Sequence, residues 1–220
     1  MLYKIISMIL GLPKSIFLNF KYLNIKDAIR LPIIVTHKVS LRKVSGSLKI
    51  DEPIKMGMIK LGFNNVGIFD RYKQRSIWSV SGNIIFRGCA SLGHGTKISV
   101  GANGELVIGK NLTITAESAI VCEKSIEIGD DCLISWDNLI MDTDFHDIID
   151  KNGKIINEPK QIIIGDKVWI GCRNTILKGA NIKSSTVVGA NSLISREIND
   201  DNCIVAGNPI KVIKEDISWN

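Results

Sequence analysis

The chain has 220 residues, 45% of them hydrophobic and 23% charged, and a net charge of +6. This excludes wholesale disorder and leaves enough apolar material for one domain with a sizeable core, alone or with a small extension. The mild positive excess suits an anionic ligand such as a nucleotide phosphate, or an anionic membrane surface; with no Lys/Arg-rich block interleaved with aromatics, nucleic acid is a poor fit.

The N-terminus reads MLYKIISMILGLPKSIFLNF. Its apolar run from Ile5 to Leu12 ends at Pro13 and is too short to span a bilayer. No small-x-small cleavage site comes after it, which argues against a secretion signal. Two readings stand: a segment lying on a membrane surface, with Lys4, Lys14 and Lys21 beside Ile, Leu and Phe, or a short helix packed on the body of the protein or on a neighbouring subunit. The second is preferred. Residues 1–35 read as helical or irregular, and roughly 40–85 as strands leading into a repeat or as coils with a degenerate repeat.

The repeat has a period of six. Ile164, Ile170, Ile176, Ile182, Val188 and Ile194 recur every sixth position, with Gly165, Gly171 and Gly189 directly after three of them. The same step runs through Phe86, Leu92 and Ile98, then Ile108, Ile114 and Ile120. After a two-residue slip it continues through Ile128, Ile134 and Ile140. Such a period fits neither an α-helix nor a flat amphipathic strand. It fits a chain wound into triangular coils, each side one short strand, with the aliphatics stacked inside at the strand spacing of about 4.8 Å. The chain therefore divides into an extension over 1–60, a solenoid over 61–214 and a tail over 215–220. Residues 141–161 (MDTDFHDIIDKNGKIINEPKQ) break the period between good coils and are expected to project as a functional loop.

Cys89, Cys122, Cys132, Cys172 and Cys203 are odd in number and hold no C-x-x-C pair, which argues against a disulfide framework or a zinc site. Reduced thiols acting as small core residues in the cytosol are the simplest reading.

The string IGDKVWIGCRNTILKGANIKSSTVVGANSLISREI, followed by IVAGNPIKVIK, resembles the C-terminal coils of hexapeptide-repeat acetyltransferases. The nearest group contains the maltose, galactoside, and capsule or lipopolysaccharide O-acetyltransferases. LISWDNLIMDTDFHDI resembles the active-site stretch of polysaccharide-modifying members, and the likeness covers roughly residues 85–214. It implies an all-β, left-handed parallel β-helix, a homotrimer with active sites in clefts between neighbouring prisms, and acetyl-CoA as co-substrate without a metal. The implied activity is transfer of acetyl to a saccharide hydroxyl, in surface polysaccharide O-acetylation.

His146 is the candidate general base: imidazole titrates near neutrality, takes the acceptor's proton and passes it to the leaving thiolate. Asp144 or Asp142 is expected to fix the ring or orient the acceptor. A backbone N–H near Gly171 is a candidate oxyanion donor. By resemblance, Trp169 falls at an aromatic wall beside acceptor and pantetheine. Gly171, Cys172, Ala190 and Ser195 fall along the pantetheine groove, and Lys211 and Lys214 at the CoA phosphates. Lys178 is a further candidate cation. Trp136 stacks on a sugar ring or covers a prism edge. Glu117 stands where the sugar acetyltransferases carry an acceptor-binding asparagine, a departure that would suit another hydroxyl pattern or an amine. His37 and His94 read as structural. Two other classes are carried: N-acetylation of an amino sugar or nucleotide sugar, and a non-catalytic trimeric scaffold. The zinc enzymes that share the fold are rejected, because His37, His94 and His146 lie in unlike settings. The expected location is cytoplasmic, with a contact of the N-terminal segment to the inner membrane face as the less favoured option.

Overall fold

The structure, a computed structural model, describes residues 2–70 and 72–219, with side chains from residue 5 onward. The Lys4 side chain, and the extreme ends of the expected extension and tail at Met1 and Asn220, lie outside the described residues. The fold is a left-handed parallel β-helix preceded by a helix. Three sheets of nine, seven and seven strands form three faces of a prism; up to Ile204–Ala206 every pairing is parallel and the chain visits the faces in rotation. The hexad aliphatics are its interior. Ile108, Ile114, Ile120, Ile128, Ile134 and Ile140 are each fully buried, as are Ile170, Ile176, Ile182, Val188 and Ile194. Each such side chain contributes about 1.5–3 kcal/mol over leaving it in water.

The coils start earlier than the six-residue period shows. Strands β1 (Ile33–Val35), β2 (Val39–Val44) and β3 (Ser47–Ile50) already form a complete turn, pairing with Ile59–Leu61, Ser76–Val80 and Asn83–Phe86. The boundary expected between residues 60 and 61 therefore falls inside the solenoid. The reason is spacing: Ile59 stands beside Ala90, with the irregular stretch 62–75 looped out between them, whereas in the last regular coils Trp169 stands beside Val187.

Corners repeat a device. On the edge joining face one to face two, Glu117, Asp137, Arg173 and Asn191 all adopt left-handed backbone angles (φ between 51° and 61°), and Gly95 does so one coil earlier. The residue after each of Glu117, Asp137, Arg173 and Asn191 points inward and accepts a backbone N–H from the neighbouring coil. Ser118 Oγ accepts from Asn138 at 3.2 Å, Asn138 Oδ1 from Asn174 at 2.8 Å, and Asn174 Oδ1 from Ser192 at 2.7 Å. Buried backbone donors at the turns thus find partners, and the ladder fixes coil on coil.

Helix α1 (Leu2–Tyr22) does not stop at Pro13. Pro13 lies on the solvent side, while the opposite stripe is bolted to β1, the first strand of face one. Asn19 donates to the Ile33 carbonyl at 2.7 Å and accepts from the Ile33 N–H at 3.1 Å. Ser15 Oγ accepts from the Val35 N–H at 3.0 Å, and Lys14 Nζ donates to the His37 and Val39 carbonyls at 2.8 and 2.6 Å. Gly11 permits this approach: a Cβ there would lie 2.1 Å from the Val35 carbonyl oxygen. The open sheet edge is thereby covered, which removes an aggregation-prone template. The other end closes differently. Lys211–Lys214 turns back antiparallel onto Ile204–Ala206, and Trp219 donates to the Lys167 carbonyl at 2.8 Å beside Trp169. The described part of the tail expected over 215–220 therefore folds onto the prism.

Candidate active site

The loop after Met141 leaves the prism at the edge between faces two and three and returns at Ile162. Its launch point is Asp142, fully buried. One carboxylate oxygen accepts from the Glu123 N–H at 2.7 Å, and the other from the Lys124 and Ser125 N–H groups, each at 2.8 Å. Expected at the acceptor, Asp142 instead caps the corner of the coil below: all its hydrogen-bonding capacity turns inward.

Beyond it the loop is a projecting hairpin. Ile149 bridges Ile155, and Asp150 closes the tip by accepting from the Asn152 and Lys154 N–H groups at 2.8 and 2.9 Å. Asn157 organises its middle. Its amide nitrogen donates to the Asp144 carboxylate and to the His146 carbonyl, both at 2.8 Å, and its oxygen accepts from the Ile148 N–H at 2.6 Å. Lys178, on the next coil, donates to Asp144 at 2.5 Å and also to the Asn157 carbonyl. The Lys178 ammonium first, then the Asn157 amide, hold the Asp144 carboxyl below the usual carboxylate range. Asp144 is thus a strut between loop and prism, occupied by Lys178 and Asn157 and not by the His146 ring it was expected to orient. His146 itself is exposed, with Phe145 and Ile148 exposed beside it. Sequence reasoning missed Asn157; only its three contacts distinguish it from any other polar loop residue.

The remaining candidates lie elsewhere on the prism. Trp169 stands on face one, 38% exposed, its Nε1 donating to Ser135 Oγ at 3.2 Å. Trp136, Gly171, Cys172 and Ala190 occupy the edge from face one to face two, Ala190 exposed and Cys172 partly so. The Gly171 N–H donates to the Val188 carbonyl at 2.8 Å, which removes it as the oxyanion donor. Ser195 sits on the other edge, beyond face two, in line with Lys178 and the His146 loop. Lys211 and Lys214 are exposed on the last strand. Lys211 and Arg196 border a cleft of about 330 Å³ at that end of the prism.

Glu117 lines a polar cleft with Gln74, Arg75, Lys97 and Asp137. Its carboxylate is only 8% exposed and lies 3.4 Å from Lys97 Nζ and 3.7 Å from His94 Nε2, with the Gln74 amide against it. His94, read as structural, is buried in this cluster. All five cysteines are free. Burial pushes the Cys132 thiol up to about 12, consistent with an inert core residue.

One chain therefore gathers its candidates on two edges. The base and its struts occupy the edge between faces two and three, with Ser195 in line with them, while Gly171, Cys172 and Ala190 occupy the edge between faces one and two, beside Trp169 on face one.

No family model matches the sequence. Curated proteins do. The polysialic acid O-acetyltransferase of Escherichia coli O1:K1 / APEC is 38% identical over 117 residues, covering 52% of this chain and 38% of that protein. The galactoside O-acetyltransferase of Escherichia coli K12 is 34% identical over 120 residues, covering 53% and 56%. Among solved structures, the polysialic acid O-acetyltransferase OatWY superposes with a TM-score of 0.55 at 27% identity, covering 83% of this chain and 88% of that one. The chain resembles the hexapeptide-repeat O-acetyltransferases in both sequence and fold. The matches to the two curated O-acetyltransferases span about two fifths and just over half of their lengths.

Proposed function

We propose that this chain is an acetyltransferase that moves an acetyl group from acetyl-CoA to a hydroxyl of a saccharide, with His146 as general base. The observation that carries the reading is the loop: an exposed imidazole on a hairpin whose backbone is pinned by Asn157 and, through Asp144, by Lys178. A pinned arm presenting an exposed imidazole suits proton abstraction from a bound hydroxyl. The relatives' names, polysialic acid and galactoside O-acetyltransferase, supply the class of acceptor.

In this reading His146 takes the hydroxyl proton as the acceptor oxygen attacks the thioester carbonyl. The tetrahedral oxyanion collapses, the carbon–sulfur bond breaks, and the imidazolium returns the proton to the leaving thiolate. Trp169 walls the groove, Cys172 and Ala190 leave room for the pantetheine arm, and Lys211 and Lys214 meet the CoA phosphates. Asp144 acts as a positioning residue. The split of candidates over two edges supports a homotrimer in which the loop of one copy reaches the groove of the next. Glu117, buried and already paired, offers little to an amine acceptor, so the hydroxyl reading is preferred over N-acetylation.

The test is acetyl-CoA turnover, monitored by thiol release, against sugars, nucleotide sugars and oligosaccharides. An acceptor-dependent rate that falls roughly 10²- to 10⁴-fold in His146→Ala, with CoA binding retained, is the expected result. Failure to bind CoA at all overturns the acetyltransferase reading and leaves a scaffold.

A further inference from the structure

Helix α1 carries its polarity inside out. Ser7, Gly11, Ser15 and Asn19, spaced one helical turn apart, face the protein and meet the edge of β1. The opposite sector holds Leu12, Ile16, Ile9, Phe20, Phe17 and Leu10, each between 42% and 60% exposed, and no polar side chain interrupts it. A helix on a protein surface ordinarily shows the reverse arrangement. Ser15 and Asn19 are already engaged with the sheet edge, so the helix cannot roll over to bury the apolar sector without orphaning the Ile33 and Val35 backbone groups. A contiguous exposed apolar sector of this kind marks an interaction surface.

The charge around it is one-sided. Residues 1–60 hold eleven Lys and Arg against three Asp and Glu, while the remaining residues hold seventeen against nineteen. The positive excess of the whole chain therefore sits at the end of the prism that bears the helix. No acidic residue precedes Asp27, and Lys21, Lys26 and Arg30 are exposed at the end of α1 and just beyond, beside the exposed Ile25 and Ile29. No helix among the described residues is long and apolar enough to cross a membrane.

We propose that the outward face of α1 is a docking surface for an anionic lipid bilayer. The helix lies in the interfacial plane with Ile9, Ile16, Phe17 and Phe20 among the acyl chains, while the basic end of the prism faces the headgroups. The hydrogen bonds to β1 hold the prism against the bilayer, so that an acceptor carried on a lipid meets the protein at the membrane surface.

The experiment is vesicle flotation of the full chain with phosphatidylcholine vesicles and with phosphatidylcholine–phosphatidylglycerol vesicles. About ten-fold or greater enrichment on the anionic vesicles, weakened by salt, is expected. The double variant Ile9→Glu/Phe17→Glu, changed only at exposed positions, is expected to stay at background with an unaltered melting curve. Lys21→Glu/Lys26→Glu is expected to lose the preference for anionic lipid while melting normally. Two results overturn the proposal: failure of the wild-type chain to float with anionic vesicles at low salt, and equal flotation with neutral vesicles. Dissociation of an oligomer by Ile9→Glu/Phe17→Glu, without wild-type flotation, assigns the face to a second copy of this chain instead. Because no step depends on turnover, the result stands apart from the acetyltransferase assignment.

Discussion

Asp142 and His146 are four residues apart and obey different rules. Asp142 belongs to the coil: buried, its carboxylate shared among three backbone N–H groups of the turn below. His146 belongs to the loop: exposed, its position set by a carbonyl contact from Asn157 and a strut two removes away. In the coil, position comes from stacking, because every neighbour is repeated above and below. In the loop, it comes from a handful of unique polar contacts. Substitutions in the coil should therefore act on stability, and in the loop on activity.

The largest effect is expected at the coil. Asp142→Ala leaves three turn N–H groups without their acceptor and should cost about 4 kcal/mol or more. Calorimetry should show a melting temperature lower by roughly 10 °C or more. An Asp142→Ala protein that melts normally yet fails in turnover would move this residue back to the acceptor site. Aliphatics sharpen the contrast. Ile140→Ala, at a fully buried hexad position, should lose about 2–5 kcal/mol in denaturant unfolding. Ile148→Ala, on the exposed loop, should stay within about 0.5 kcal/mol.

The same division explains which parts of the molecule are legible in its sequence. The interior is legible from Ile164 to Ile194 and from Phe86 to Ile140, because every sixth side chain must stack on its equivalent. The two coils before it are not: their connections are irregular, residues 62–70 and 72–75 of the second looping out, although Val35, Val39 and Leu48 are buried like any hexad residue. Helix α1 runs past Pro13 because its stability comes from Ser15 and Asn19 on a distant strand edge, which local propensity does not report. The two aspartates look equivalent in DTD. Their fates are separated by contacts to Glu123–Ser125 on one side and to Lys178 on the other, neither visible in a linear string. His146 is legible as a loop imidazole, whereas the strut that holds it is not.

That strut gives a pH prediction. Because the Asp144 carboxyl is held below its ordinary value, the tie to Lys178 stabilises the loop above the unfolded value near pH 3.9 and is lost as pH falls through the lowered folded value. Lys178→Ala should move the Asp144 titration upward toward that ordinary value in a carboxyl-carbon NMR titration. It should also make the 144–157 hairpin more readily cleaved in limited proteolysis, with little change in global melting. An Asp144 titration unmoved by Lys178→Ala would mean that Asn157 alone carries the strut.

The smallest effect belongs to the far end of the prism. Lys211 and Lys214 are exposed on a strand that the solenoid holds by one antiparallel pairing. An exposed cation meeting a phosphate contributes about 0.5–1 kcal/mol at moderate salt. Lys211→Ala and Lys214→Ala should therefore each raise the KM for acetyl-CoA about two- to five-fold. The KM for the acceptor and kcat should stay unchanged, and the effect should shrink as salt is added. The pattern matters more than its size: a donor-specific, salt-sensitive KM effect places the nucleotide end of CoA at this strand. An equal effect on both substrates would instead mean that the last strand supports the groove only through the fold.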